Sequence, residues 1–170
     1  MKKLFIQISF LLLFFHLLLC DPDCLDGYFY KEELDLCLQY PIFNGNRYQI
    51  DWKTASLFCQ KSGGNLPSIH NAFTNGIWAD LQKISGHTSE FWLGAEHESN
   101  ETWRWIDETP FDYQHFQRST AVGDCVTLDA SDQLWKLRDC LGWRFFFCTS
   151  QPLLSTDSTS FPTTIFPTHF

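Results

Sequence analysis

Phe91-Trp92-Leu93-Gly94-Ala95, followed by Trp103-Arg104-Trp105-Ile106-Asp107, stands among six cysteines: Cys24, Cys37, Cys59, Cys125, Cys140 and Cys148. The first run is apolar throughout, as a central strand covered on both faces would be. In the second, Trp103 and Trp105 point one way while Arg104 and Ile106 point the other. N-terminal to these runs, Asp51 can cap a helix in which Trp52, Ala55, Phe58 and Cys59 recur at helical spacing, and Gly63-Gly64 stops it. A second helix is predicted from about Ala72 to Ile84, with Phe73, Ile77, Trp78, Leu81 and Ile84 on one face. C-terminal to them, Cys125 to Leu128 places Val126 and Leu128 on one face. Trp143 to Cys148 is apolar apart from Arg144 and reads as a strand inside a sheet. Two helices followed by strands make an α+β domain.

The first 20 residues read differently. Lys2 and Lys3 precede an apolar run from Leu4 to Leu19, the pattern of a secretory signal peptide. A membrane-spanning anchor is the rival. The run is slightly short for a span of roughly 20 residues, and the acidic Asp21-Pro22-Asp23-Cys24 follows at once, so the signal peptide is preferred. Cleavage near Cys20 removes the seventh cysteine and leaves six. It also removes Lys2 and Lys3, taking the formal charge from -8 to about -10. So acidic a chain repels phosphate backbones, which sets nucleic acid aside as a partner.

The expected organisation is a leader over 1–20, one domain over 21–150 and a tail over 151–170. The tail is rich in Ser, Thr and Pro, with Phe161-Pro162-Thr163 echoed by Phe166-Pro167-Thr168, and reads as disordered or as a short O-glycosylated segment. It has no long apolar run, so no membrane anchor is expected after signal removal and the mature chain is expected to be secreted and extracellular. In that compartment six cysteines read as three disulfides, with about 15 connectivities open. Zinc is set aside, because no two of these six cysteines stand two to four residues apart and no histidine pair has the local spacing of such sites. Asn100-Glu101-Thr102 is an N-glycosylation sequon.

The order of segments resembles the C-type lectin domain in its longer form, which carries an extra N-terminal cysteine pair. The family's first helix, with a cysteine near its end followed by Gly and Leu, is matched by Cys59 to Leu66. Its Trp-Ile-Gly-Leu strand is matched by Trp92-Leu93-Gly94-Ala95. Its Trp-x-Trp-x-Asp stretch with Pro and Tyr downstream is matched by Trp103, Trp105, Asp107, Pro110 and Tyr113. Asp124-Cys125, Trp135 five residues before Cys140, and Phe145-Phe146-Phe147-Cys148 complete the likeness over residues 24 to 148. The resemblance implies two helices packed on short antiparallel sheets with a long loop region. It also implies the pairs Cys24–Cys37, Cys59–Cys148 and Cys125–Cys140. Closing the loop of about 90 residues between Cys59 and Cys148 contributes up to roughly 4–5 kcal/mol in the chain-entropy model. Trp92, Trp103 and Trp105 are then core rather than binding residues.

In this family the long loop usually carries Glu-Pro-Asn or Gln-Pro-Asp, and a Trp-Asn-Asp follows on a strand, so that calcium gathers the 6 to 8 oxygens it needs. Here the stretch from Tyr113 to Gly123 has no Asp, Glu or Asn, Gly123 replaces a frequent Glu, and Trp135 is followed by Lys136 and Leu137. Calcium is therefore not expected at the primary site. Glu96, Glu98, Glu101, Asp124 and Asp139 lie near auxiliary calcium positions of relatives but are read as solvated. His70, His87, His97 and His115 have neither metal nor catalytic spacing. With no Gly-x-Ser-x-Gly, phosphate-binding glycine loop or His-Glu-x-x-His, no enzyme is expected.

Three functions stay open. The domain can bind an extracellular protein. It can bind a glycan without calcium, stacking a sugar on Tyr113, Phe116 or Trp143, or act as a lectin of innate immune recognition with atypical or auxiliary calcium use. It can also be a secreted structural or antimicrobial factor. The ligand-contacting residues are expected to be Tyr113, Phe116, Arg118, Lys136 and Arg138, a basic and aromatic patch suited to an acidic partner such as a sulfated or sialylated glycan.

Overall fold

The computed structural model describes residues 22–43, 45–47, 49–86, 89–97, 102–118 and 122–153. The leader expected over 1–20, nearly all of the expected tail, Asn100, Glu98, Glu101 and His87 lie outside them.

Helix α1 spans Trp52–Lys61, and its cap is Asp51, whose carboxylate accepts the Thr54 N–H at 3.0 Å. Helix α2 spans Ala72–Ile84, capped in the same way by Asn71 through the Thr74 N–H at 2.8 Å. Its inner face is not the expected one. Trp78, Ala79 and Leu81 are buried together with Asn75 and Gln82, while Phe73 and Ile84 are 70% and 82% exposed. The two polar residues hold core positions because their bonds are supplied. Asn75 accepts the Trp135 indole N–H at 2.7 Å and donates to the Gln133 carbonyl at 2.9 Å. Gln82 accepts from Arg47 at 2.7 Å and donates to the Ser89 carbonyl at 3.3 Å. A satisfied amide can occupy a core stripe, and the stripe turns so that Phe73 and Ile84 fall outside it.

The strands are β1 (Phe29–Lys31), β2 (Leu36–Gln39), β3 (Ile42–Phe43), β4 (Asn46–Arg47), β5 (Glu90–His97), β6 (Trp103–Trp105), β7 (Cys125–Asp129), β8 (Trp135–Arg138) and β9 (Cys148–Ser150). They pair antiparallel in a three-stranded sheet β1-β2-β9, a hairpin β3-β4 and a four-stranded sheet β6-β5-β7-β8. The strand expected from Trp143 to Cys148 begins later, at Cys148. Upstream, Arg144 bridges Ile50 and Phe145 bridges Phe91, because this segment passes from one sheet to the other and meets a new partner every residue or two. The hairpin of β1 and β2, which no strong alternation announced, turns through a 3-10 segment closed by Asp35 in the left-handed region (φ 52°).

β5 is apolar on both faces for the expected reason. Phe91, Leu93 and Ala95 enter one buried cluster with Trp78, Leu128, Trp135 and Phe147, whereas Trp92 enters another with Ala55, Cys59, Leu66 and Phe146. Between Trp92 and Glu96 the pairing with β7 shifts register. There the Gly94 N–H donates to the Pro67 carbonyl at 2.8 Å, and its own carbonyl accepts the Ile106 N–H at 2.9 Å. A Cβ on Gly94 would lie 2.7 Å from the Leu66 carbonyl oxygen, so only glycine lets the two backbones approach. The disulfides pair as the family resemblance implied: Cys24–Cys37, Cys59–Cys148 and Cys125–Cys140, with Cα atoms 5.7, 5.1 and 5.2 Å apart. Cys24 to Pro152 forms one compact unit.

Candidate ligand-binding site

Strand β8 divides the expected contact residues between two environments. Trp135 and Leu137 face the main core, while Lys136 and Arg138 alternate to the opposite face of the sheet. Trp135 is fully buried and ringed by Trp105, Phe111, Tyr113 and Phe116, with centroids 5.5, 6.1, 5.7 and 5.4 Å away. The preceding loop is pinned to β8 by main-chain bonds, Trp135 N–H to His115 at 2.9 Å and Gln117 N–H to Trp135 at 2.8 Å. Tyr113 and Phe116 are therefore half-buried members of an aromatic cage, and burial raises the Tyr113 hydroxyl above its ordinary pKa. Arg118, just beyond the pinned segment, is exposed.

The other face is ionic. Lys136 reaches Asp129 at 2.6 Å and Asp132 at 3.0 Å, with its side chain 13% exposed. Arg138 grips Glu90 through two bonds, at 2.8 and 2.5 Å. Arg144 and Thr127 each donate to the same carboxylate at 3.1 Å. Burial pushes Glu90 upward, but the bonds from Arg138 and Arg144 outweigh it and hold its carboxyl below the ordinary range. Asp129 behaves alike: burial raises it, and the bond from Lys136 leaves it lowered. The bond to Glu90 correspondingly raises Arg138. Lys136 and Arg138 do not join Tyr113 and Phe116 in one patch, and their charges are already answered within the chain.

The calcium implied by the family does not fit the side chains at this place. Lys136 carries an ammonium group tied to two carboxylates, and Leu137 packs against the core where the family supplies oxygens. At Gly123 a side chain has no room, since a Cβ would stand 2.7 Å from the Arg138 nitrogen and closer still to its carbonyl. A pocket of about 610 Å³ remains there, lined by His97, Trp103, Val122, Leu137, Asp124 and Asp139, with more apolar than oxygen donors. Glu96, an auxiliary candidate, is ion-paired with Arg104. Among the described residues, no three His, Cys, Asp or Glu gather as metal ligands.

One constellation was not legible in the spacing. His70 contacts Asp112 at 2.9 Å through Nδ1 and Ser68 at 3.3 Å through Nε2, a Ser-His-Asp chain beside a cavity of about 460 Å³. It is not arranged for nucleophilic catalysis. Ser68 gives its single hydroxyl proton to Asp107 at 2.5 Å, so that proton is not directed at His70, as a histidine base would need. The bond from His70 holds Asp112 below its ordinary pKa, and Asp107 also accepts from Thr109 at 2.6 and 3.1 Å. The network ties the loop after Asp107 to the segment before α2.

Trp143 is 70% exposed, on the loop between Cys140 and Phe145. Of the three aromatics considered for stacking, it is the one the fold leaves uncovered.

Comparison with known proteins agrees with this architecture. The lectin C-type domain family matches residues 48–150. Human lymphocyte antigen 75 is 31% identical over 138 residues, which cover 75% of this chain and 8% of that protein. The galactose-specific lectin nattectin of Thalassophryne nattereri is 29% identical over 113 residues, covering 62% of this chain and 71% of the lectin. The chain thus spans less than a tenth of the length of the first of these relatives. Among solved structures, human lithostathine superposes with a TM-score of 0.63 at 26% identity, covering 75% of this chain and 99% of that one. A calcium-independent type II antifreeze protein superposes with a TM-score of 0.64 at 20% identity, covering 79% and 99%, a likeness of fold alone. None of these relatives is an enzyme by name. By the family match over most of its described length, by its fold and by its three disulfides, this chain belongs to the C-type lectin domain family.

Proposed function

We propose that the chain is an extracellular binding domain that recognises a glycan or a protein without the family's calcium. The observation that carries this reading is the ion-paired Lys136 beside the core-packed Leu137, where oxygen ligands would otherwise stand. A cation held by two carboxylates repels calcium and occupies acceptors that calcium would need. Three disulfides support an oxidising compartment. They accord with a leader over residues 1–20, with a Ser/Thr/Pro tail over 151–170 and with N-glycosylation at Asn100, all of which belong to the proposal. A binding rather than a catalytic role accords with Ser68, whose proton is committed to Asp107. The test is ligand capture by the full-length chain on glycan and extracellular-protein arrays, in chelator and in millimolar calcium. Equal binding in both is expected; capture that appears only with calcium refutes the reading.

A further inference from the structure

Beside Trp143 the ionic face of the sheet opens into a shallow groove of about 390 Å³, lined by Gln49, Ser89, Glu90, Asp129, Trp143 and Arg144. It lies across the sheet from Leu137 and the pocket at the family's calcium position, since Glu90 shares a face with Thr127 and Arg138. Its volume falls in the range of small-ligand sites, about 300–1,000 Å³. We infer that this groove is a calcium-independent site for a neutral saccharide, with one sugar ring stacked on Trp143. The inference rests on the calcium-independent reading above and names the place and ligand class for it.

Three features select that class. A pyranose has one face of C–H groups and a rim of hydroxyls, so it needs a flat apolar surface beside rigid hydrogen-bonding groups. Trp143 supplies the surface, 70% exposed. Arg144 supplies rigidity: Nε donates to Glu90 at 3.1 Å, Nη1 donates to the Trp143 carbonyl at 2.9 Å, and the guanidinium lies 5.9 Å from the Trp92 ring centroid. A donor fixed in this way loses little freedom when a hydroxyl arrives. Gln49 and Ser89 add exposed amide and hydroxyl groups on the same wall.

The third feature is charge. Glu90, Asp129 and Asp132 stand against Lys136, Arg138 and Arg144, three carboxylates to three cations in short ion pairs. An acidic or basic partner gains no unbalanced charge here and would have to break existing pairs. A neutral ligand breaks none. This replaces the expectation of a sulfated or sialylated glycan, which depended on Lys136 and Arg138 being free.

The experiment uses the full-length chain with its disulfides intact and three probes: oligosaccharides of glucose, of galactose and of mannose. Each is titrated in excess chelator by tryptophan fluorescence and saturation-transfer NMR. Trp143→Ala is expected to weaken binding at least tenfold, Trp143→Phe only a few-fold, and Ile84→Ala, on the exposed side of α2, not at all. Saccharide binding in chelator that survives Trp143→Ala overturns the groove while leaving calcium independence standing. Binding that requires calcium overturns both. A wild-type chain that binds none of the three series overturns the saccharide assignment and leaves a protein as the groove's occupant.

Discussion

The ring cage around Trp135 and the loop carrying Trp143 are both aromatic, both adjoin the same sheet, and have opposite fates. Trp135 is fully buried, its indole N–H bonded to Asn75 and its ring enclosed by Trp105, Phe111, Tyr113 and Phe116. Trp143 projects from a short loop between two anchored points, the Cys125–Cys140 disulfide and buried Phe145, and stays open to solvent. Aromatic content alone therefore does not mark a binding surface. What distinguishes the two regions is whether the fold has already supplied the ring's neighbours.

Breaking the cage should have the largest effect. Trp135→Ala removes a buried indole and strands Asn75, and is expected to cost about 3–5 kcal/mol in chemical denaturation, enough to unfold a marginal domain. Next comes the ionic face. Glu90→Gln leaves Arg138 and Arg144 without their anion and should cost about 2–3 kcal/mol at neutral pH. The sign with pH follows from a lowered folded-state pKa. The stabilisation is present above the ordinary carboxylate range and is lost as pH falls through the folded value, so wild type should lose its margin over the Gln variant in acid. A margin that persists at the lowest pH would contradict the assignment. Phe116→Ala, at a half-buried ring with Trp103 and Trp135 on either side, should cost about 1–2 kcal/mol and leave ligand affinity unchanged in the folded fraction. Trp143→Ala should change stability by less than about 0.5 kcal/mol while weakening saccharide binding at least tenfold. The two Trp variants thus separate folding from recognition.

Much of the cage could be foreseen in the chain and little of the groove. The two helices, the β5 run and Trp103-Arg104-Trp105 follow from periodicity, and the cysteine pairing followed from resemblance to a family. Gly94 in the quoted stretch is a direct mark of backbone contact, with Leu66 and Pro67 27 to 28 positions earlier. The ionic face is only partly legible in the sequence: Asp132 and Asp129 stand four and seven positions before Lys136, whereas Arg138 and Glu90 lie 48 positions apart and Arg144 and Glu90 lie 54. The inner face of α2 was misread because hydrophobic periodicity has no term for a buried Asn or Gln whose bonds are met from distant segments. Trp143 was read into a strand for a related reason. Composition records an apolar run, and only the passage of that run between two sheets shows that its first ring stays outside.

The central claim is that Lys136, Leu137 and Gly123 have removed the family's calcium site, so that recognition proceeds without the ion. Thermal unfolding of the full-length chain in chelator and in millimolar calcium tests it most directly. The structure predicts the same melting temperature in both, because among the described residues no cluster of metal-ligating side chains gains from the ion. A site filled at a hundredfold excess over its dissociation constant would add about 2.7 kcal/mol, roughly 10 °C for a domain of this size. A rise on that scale would contradict the account.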